Sequence, residues 1–209
     1  KQVKALILAA GLGSRLMPLT EKTPKCLVKV GQNTVLERWI KNLDSCNCKE
    51  AIINTHHLSE QVETQVEKYK NNCKTDLICS YEEALLGTAG TLMKHIDYFR
   101  NSICVLLHAD NATDFDLKEL IQEHTKRPKG CILTMLTFNT EQPEACGIVT
   151  TDQNGIVSKY VEKPKSSNNK KANAAVFIFE DEFIEWFKKN GEKQLDFSKD
   201  ILPMLTKRI

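Results

Sequence analysis

Residues 3–25 read VKALILAAGLGSRLMPLTEKTPK. The stretch begins as a short apolar run, which predicts a buried strand, and then breaks into a glycine-containing loop. Gly11 and Gly13 allow a ligand to approach the backbone closely, and Arg15 and Lys25 carry charges that can reach phosphate oxygens. The stretch therefore predicts a strand that delivers backbone N–H groups to a polyphosphate.

The glycine spacing by itself does not identify the loop. A plain strand-to-helix turn with solvated basic residues would be the better interpretation of a lone Gly-x-Gly. The loop lacks the GxxxxGK[ST] pattern of a Walker loop, and Leu16 stands where a dinucleotide-binding GxGxxG has its third glycine. The other segments of the chain have to show which type of phosphate-binding loop this is.

Composition narrows the class of protein. The 209 residues suffice for one well-buried domain, and 29 basic against 27 acidic residues give a net charge of +2. That balance offers no electrostatic case for binding nucleic acid or a membrane surface, and no apolar run approaches the roughly 18 residues of a membrane span. The eight cysteines are predicted to be reduced thiols of a cytoplasmic protein, and Cys46 and Cys48 lack the spacing of a zinc site.

Apolar runs rich in Val, Ile and Leu alternate with helical patterns along the chain. The alternation predicts a parallel sheet with helices on both faces. Thr34 and Ser59 are each predicted to cap a helix. After residue 140 the pattern predicts a hairpin turning at Asn154-Gly155 and then a strand over residues 174–179. The earlier runs lie at residues 3–9, 50–54, 76–80, 103–108 and 131–138.

The longer string at residues 8–25 resembles the signature of the sugar-phosphate nucleotidyltransferases, the family that makes NDP-sugars. It joins LAAGLGSRL, PLT and Pro-Lys, and four further segments follow in the family's order over nearly the whole chain. The resemblance implies an α/β fold of the GT-A-like nucleotide-diphospho-sugar transferase type, with a Rossmann-like, mixed, mostly parallel sheet flanked by helices. It also implies a single domain over residues 1–209, with residues 1–140 mainly binding nucleotide and residues 141–209 mainly binding sugar phosphate.

The resemblance assigns the nucleotide to the opening loop and to the segment LGTAGT at residues 86–91. Glu82, five residues before Gly87, matches a position that faces the base in many relatives. A carboxylate can accept from guanine N1–H and N2–H₂ together, which slightly favours GTP, but it can also accept one N3–H from uracil or thymine. A solvated loop acid is the alternative for Glu82. The expected nucleotide-binding residues are Leu8, Ala10, Gly11, Gly13, Glu82, Gly87 and Thr88.

Two acids are expected to hold Mg²⁺. Asp110 follows an apolar run, and ligands bind at the carboxyl edge of a parallel sheet. Ala109 replaces the glycine that the family usually has before this acid. Asp200 matches the family's second metal-binding acid, with Asp196 as the alternative, and His108 is expected to support the site rather than to act directly in catalysis.

Three later segments resemble the family's sugar-phosphate elements, Tyr-Gly-Val, Glu-Lys-Pro and Asn-Ala-Gly. Cys146 replaces the common aromatic residue of the first element, and Ala175 replaces the common glycine of the third. The shape of the sugar pocket therefore stays open. The expected sugar-phosphate-binding residues are Gly147, Glu162, Lys163 and Asn173.

The reaction that the resemblance implies joins an NTP and a sugar 1-phosphate to give an NDP-sugar and pyrophosphate. Arg15, Lys25 and Lys163 are the expected catalytic residues. Arg15 is expected to steady the leaving pyrophosphate, and the two lysines to offset the charge on the α-phosphate and the sugar phosphate. NTP and sugar 1-phosphate are the expected partners, without nucleic acid or membrane, and the oligomeric state is open. Two alternatives remain: a cytidylyltransferase for a non-sugar phosphate, and a non-catalytic regulatory protein that binds NDP-sugars.

Overall fold

Two units share the chain, and a computed structural model describes all of its 209 residues. The first unit contains residues 1–85 and 102–119, and the second contains residues 86–101 and 120–209. Both units are therefore assembled from two stretches of sequence.

The first unit is built on a four-stranded parallel sheet. The strands of this unit, including two that lie outside the parallel sheet, are β1 (Val3–Leu8), β2 (Lys29–Val30), β3 (Asn33–Thr34), β4 (Cys48–Thr55), β5 (Asp76–Tyr81) and β6 (Ile103–His108). The parallel sheet has the order β5, β4, β1, β6, while β2 and β3 form a separate antiparallel ribbon. The central strands β1 and β6 are nearly continuous apolar runs, as expected where both faces of a parallel sheet are covered, whereas the edge strand β5 is partly exposed.

Helices α1 (Val35–Ser45) and α2 (Ser59–Lys70) belong to the first unit. The predicted cap of α1 is confirmed, because the Thr34 side chain accepts a hydrogen bond from the Glu37 N–H. The predicted cap at Ser59 is wrong. Ser59 is already the first helical residue of α2, and the capping position falls to Leu58, whose φ is 52° and whose side chain makes no cap bond.

Strand register determines where the loops of the first unit emerge. Leu8, the last residue of β1, lies opposite Asn54 of β4 and opposite His108 of β6. All three strands run in the same direction, so the segments that follow them leave from one edge of the sheet. This carboxyl edge is where parallel α/β sheets bind ligands.

The strands of the second unit are antiparallel. They are β7 (Leu133–Asn139), β8 (Gly147–Thr151), β9 (Val157–Glu162) and β10 (Lys171–Phe179), with β7 and β8 pairing with β10 and β9 pairing with β8. The predicted hairpin is confirmed as β8 and β9. The run predicted at residues 131–138 becomes β7, which is antiparallel to its neighbour rather than part of a parallel series.

The helices α3 (Gly87–His95) and α5 (Asp181–Asn190) belong to the second unit, and α4 (Leu117–Thr125) spans the sequence boundary between the units. None of the five α-helices has the length and the apolar stretch that crossing a bilayer requires. The predicted α/β class, a mixed sheet flanked by helices, is confirmed.

Four aromatic rings form the centre of the second unit's core. Phe177 of β10, Phe183 and Phe187 of α5, and Phe197 are fully buried. The rings of Phe177 and Phe197 lie 4.9 Å apart, and those of Phe183 and Phe187 lie 5.4 Å apart in a stacked arrangement. Such pairs add about 1 kcal/mol to the burial of their apolar surface. Phe197 thereby fixes the chain close to the two candidate metal-binding acids, Asp196 and Asp200.

A buried histidine makes the stability of the second unit depend on pH. His124 of α4 is fully buried, and its Nδ1 lies 2.7 Å from the Thr134 hydroxyl. Burial, with the charge of Arg127, lowers the pKa of His124 to about 4, although Glu180 opposes the shift. The imidazole is therefore neutral near pH 7, and its Nε2 contact with Glu180 at 3.5 Å is not an ion pair.

We expect the free energy of unfolding to fall as the pH is lowered from about 6.5 toward about 4, because the unfolded chain takes up a proton that the folded chain refuses. The stabilisation is complete above the unfolded pKa, and about 2 kcal/mol of it is lost at about pH 5. Urea unfolding at about pH 6.5 and at about pH 5 measures the change in the free energy of unfolding. His124→Gln should remove this increment; an equal decline in both proteins would contradict the assignment.

Candidate active site

The glycine loop after β1 is held by neighbouring segments of the first unit. The Ala9 N–H donates to the Asn54 Oδ1 at 2.7 Å, and the Leu8 carbonyl accepts from the Ala109 N–H at 3.0 Å. Farther along the loop, the buried Thr20 hydroxyl donates to the Gly13 carbonyl at 2.8 Å. The loop is thus fixed at both ends.

Inside this frame the predicted loop residues differ in exposure. The side chains of Leu8 and Ala10 are buried, so only their backbone groups are available to a ligand. Gly11 and Arg15 are exposed, and Arg15 lies in a short 3₁₀ turn, Ser14–Leu16. The arrangement offers backbone N–H groups and one exposed guanidinium to an anion.

Lys25 and Asp110 form an ion pair at the same edge of the sheet. Their side chains are 22% and 32% exposed, so the pair is partly shielded but reachable from solvent. Burial raises the pKa of Asp110, but the hydrogen bond and charge of Lys25, helped by His108, outweigh it and lower the pKa below its ordinary value. Asp110 is therefore a carboxylate at neutral pH, and the positive charge paired with it is the ammonium group of Lys25.

Glu82 is a buried acid, so the alternative of a solvated loop residue is wrong. Only 3% of Glu82 is exposed, and its Oε1 accepts from the Asn54 Nδ2 at 3.0 Å. Its backbone is held as well, because its N–H donates to the Thr55 carbonyl and its carbonyl lies 2.8 Å from the His56 Nδ1. Base recognition by Glu82 stays a prediction.

Asn54 is a site residue that the sequence did not reveal. It is 3% exposed, and its amide joins two predicted nucleotide-binding features, donating to Glu82 and accepting from the Ala9 N–H. Its partners lie 28 and 45 residues away in the chain. No local pattern marks such a residue; only its place at the end of an apolar run could have drawn attention to it.

The candidate metal acids of the second unit lie in one tightly bonded segment. Asp196 caps the short π-helix Phe197–Ile201, and its carboxylate accepts from the Lys199 N–H at 2.9 Å. The Asp200 Oδ2 accepts from the Leu195 N–H at 3.1 Å and from the Asp196 N–H at 2.8 Å. Both carboxylates have local hydrogen bonds, so the choice between Asp196 and Asp200 stays a prediction.

Gly87 and Thr88, two of the predicted nucleotide-binding residues, pack against this acid-bearing segment. The Thr88 hydroxyl accepts from the Phe197 N–H at 2.7 Å, and the Leu195 carbonyl accepts from the Ala89 N–H at 3.0 Å. Gly87 has a φ of 75°, and a Cβ there would come within 2.3 Å of the Leu195 oxygen. The start of α3 and the acid-bearing segment therefore fit together only with glycine at this position.

Three predicted sugar-phosphate-binding residues, Gly147, Glu162 and Asn173, lie around the side chain of Tyr160. Sequence analysis did not predict Tyr160 as a residue of the site. The Tyr160 hydroxyl donates to the Glu162 Oε2 at 2.5 Å, and the side chains of Asn173 and Ser198 lie near enough to it to influence its pKa. Burial, together with the bond to Glu162, raises the pKa of Tyr160. A Cβ at Gly147 would lie 2.0 Å from the Tyr160 hydroxyl oxygen, so this glycine leaves room for the network.

Lys163 lies at the end of β9 with an exposed side chain and a φ of 45°. Its N–H donates to the Cys146 carbonyl at 3.0 Å, which ties the Glu-Lys-Pro turn to the start of β8. A left-handed backbone is costly for a lysine, and such strain is found where a side chain has to be aimed. The turn leaves the Lys163 side chain exposed, and its contact with a phosphate stays a prediction.

Ala175 adopts the left-handed conformation that explains why relatives have glycine there. Its φ is 55°, and its N–H donates to the Asn173 Oδ1 at 2.8 Å inside an irregular part of β10. We expect Ala175→Gly to raise the free energy of unfolding by about 0.5–1 kcal/mol, because relief of the strain exceeds the entropy that glycine adds to the unfolded chain.

Urea unfolding measures this change, with Ala174→Gly as the matched control. Ala174 has no positive φ in the structure, so glycine there should cost about 0.5–1 kcal/mol. Equal losses for both variants would show that the backbone at Ala175 is not strained.

The donor chemistry at Asp110 fits Mg²⁺. The site offers an ionised carboxylate at the edge of the sheet, and neither unit contains a group of three or more His, Cys, Asp or Glu side chains arranged to hold a metal ion. Magnesium is typically bound by one or two carboxylates, with substrate phosphates and water completing the shell. A site with few protein ligands is therefore what a phosphate-bound Mg²⁺ needs.

The chain belongs to the nucleotidyl transferase family, whose model matches residues 4–209. This match confirms the resemblance seen in the sequence. Among its relatives, the mannose-1-phosphate guanylyltransferase catalytic subunit beta of Drosophila melanogaster is 31% identical, over 98% of this chain and 55% of its own length. The UTP–glucose-1-phosphate uridylyltransferase of Synechocystis is 30% identical, over 97% of this chain and 55% of its own.

The chain thus spans about half the length of the curated relatives it matches. A solved Bacillus anthracis structure, reported as a candidate glucose-1-phosphate thymidylyltransferase in complex with a sucrose, shares the fold with a TM-score of 0.77. It is 24% identical, and the match covers 90% of this chain and 75% of that one.

Proposed function

We propose that the chain transfers a nucleotidyl group from an NTP to a sugar 1-phosphate, giving an NDP-sugar and pyrophosphate. The observation that carries the proposal is the Lys25–Asp110 pair beside a braced glycine loop, at the carboxyl edge of parallel strands. A cation and an ionised acid beside free backbone N–H groups suit a triphosphate better than a neutral ligand. A regulatory protein that only bound an NDP-sugar would not need this acid.

The bond changes require no protein nucleophile. An oxygen of the sugar 1-phosphate, already ionised, forms a bond to the α-phosphorus while the bond from that phosphorus to pyrophosphate breaks and its electron pair leaves with pyrophosphate. The glycine loop holds the triphosphate, Arg15 binds the leaving pyrophosphate, and Lys25 and Lys163 offset charge on the two reacting phosphates. Asp110 in the first unit and Asp200 in the second are the residues that would hold Mg²⁺, which would supply further charge neutralisation when bound.

GTP with mannose 1-phosphate is the substrate pair we propose first. It is supported by the guanylyltransferase relative and by the buried carboxylate of Glu82, which can accept from two guanine N–H groups. UTP with glucose 1-phosphate is the second pair, favoured by the Synechocystis relative. The cytoplasm is the location we propose, because eight free thiols suit a reducing compartment.

Pyrophosphate release in the presence of Mg²⁺ tests the proposal. A thermal-shift screen of the four NTPs comes first, followed by mannose, glucose and N-acetylglucosamine 1-phosphates with the nucleotide that stabilises most. GTP with mannose 1-phosphate should give the highest rate. Release only with CTP and choline or polyol phosphate would support the cytidylyltransferase instead, and binding without release from any pair would support the regulatory protein.

A further inference from the structure

We infer that Thr88 is a positioning residue for the acid-bearing segment 195–200, and that the predicted nucleotide-binding motif at residues 86–91 acts on catalysis through that contact. The positioning role of Thr88 rests on the geometry of the structure, whereas its effect on catalysis rests on the proposed function. Thr88 lies at the second position of α3, and its hydroxyl accepts from the Phe197 N–H at 2.7 Å.

The contact at Thr88 is one of three that join the motif to the segment. The Ala89 N–H donates to the Leu195 carbonyl at 3.0 Å, and a Cβ on Gly87 would overlap that same carbonyl oxygen. The Phe197 ring is anchored in the core against Phe177. The Thr88 oxygen therefore already accepts one structural hydrogen bond, while its own O–H is still able to donate. A role in positioning and a direct nucleotide contact have to be separated by experiment.

Backbone N–H groups of the same segment bind the side chain of Asp200. The Asp200 carboxylate accepts from the Leu195 and Asp196 N–H groups, and its own N–H donates to the Asp196 carbonyl at 2.9 Å. Ser198, between Asp196 and Asp200, lies near the Tyr160 hydroxyl that donates to Glu162. The hydrogen bonds that hold the N-terminal end of the segment come from the nucleotide motif. Loss of the Thr88 contact should therefore change the position of the Asp200 carboxylate.

Two matched variants separate positioning from direct contact. Thr88→Val has the shape of threonine without an acceptor for the Phe197 N–H, whereas Thr88→Ser keeps the acceptor. In the nucleotide-free protein, Thr88→Val should raise amide hydrogen exchange in residues 195–200 about tenfold relative to the β1 amides, and Thr88→Ser should stay near wild type. Thr88→Ala, expected to behave like Thr88→Val, serves if the valine variant does not fold.

The catalytic consequence is measured separately. Thr88→Val should raise the Mg²⁺ concentration for half-maximal pyrophosphate release and lower kcat, with a smaller change in KM for the NTP, and Thr88→Ser should restore both. Unchanged exchange in the free protein, with only KM for the NTP raised, would show direct nucleotide contact and overturn the inference. If the wild-type chain released no pyrophosphate, the proposed function would fail, but the exchange experiment would still decide the role of Thr88.

Discussion

Asp110→Asn should reduce the rate of pyrophosphate release by about 10³-fold or more while leaving the fold intact. Asparagine has the size of aspartate but no charge, so it fits the loop after β6 without presenting an ionised oxygen to Mg²⁺ or to Lys25. A group that stabilises charge in the transition state typically contributes a factor of this size. Stopped assays with saturating NTP and sugar 1-phosphate measure the rate, and circular dichroism verifies the fold.

Asp114 supplies the matched control for this variant. It lies in the same loop and also forms an ion pair, with Arg38, but its side chain is 91% exposed. Exposed pairs contribute at most about 1 kcal/mol, so Asp114→Asn should keep near-normal activity and stability. If Asp110→Asn retained more than a tenth of the wild-type rate, Asp110 could not be the acid that the reaction depends on.

The parts of the fold that sequence analysis predicted correctly depend on residues that are close together in the chain. The strand before the glycine loop, the hairpin at Gly155 and the Thr34 cap each depend on spacing within about ten residues, which periodicity and turn chemistry describe. Asp110 was placed at a strand end for the same reason, since an apolar run followed by an acid is visible in the sequence.

The parts that were missed depend on contacts between distant segments. A sequence shows that Thr88 has a hydroxyl, but not that the hydroxyl will meet the backbone of a residue 109 positions away. The partners of the Asn54 amide are hidden in the same way, because they lie 28 and 45 residues away. The Tyr160 hydroxyl was missed although its partner Glu162 is only two residues away, because a tyrosine in a strand is read as a packing residue. Ser59 failed as a cap for a local reason: Leu58 took the left-handed position that precedes the helix.

Lys25→Met should have two effects of opposite sign. The rate of nucleotidyl transfer should fall about 10²-fold, because the α-phosphate loses a fixed positive charge. The affinity of the nucleotide-free protein for Mn²⁺, used as a probe for Mg²⁺, should rise about tenfold or more. The reason is that in the wild-type protein the Lys25 ammonium group pairs with the Asp110 carboxylate and repels a second cation there.

The opposite signs follow from one partly shielded ion pair. When Lys25 is present, a divalent cation has to displace its ammonium group from Asp110, which becomes favourable once a phosphate arrives to receive that ammonium. Metal and nucleotide should therefore bind to the wild-type protein together rather than in sequence. Titration of Mn²⁺ by electron paramagnetic resonance, with and without a non-hydrolysable NTP, should show strong coupling in the wild type and weak coupling in Lys25→Met.

Two controls complete the comparison. Lys25→Arg keeps the charge and should keep the weak metal binding of the nucleotide-free protein, while Lys29→Met removes an exposed lysine four residues away and should change neither quantity. If Lys25→Met bound Mn²⁺ no more tightly than the wild type, then Lys25 would not compete with the metal for Asp110. The fall in transfer rate would then have to come from the lost phosphate contact alone.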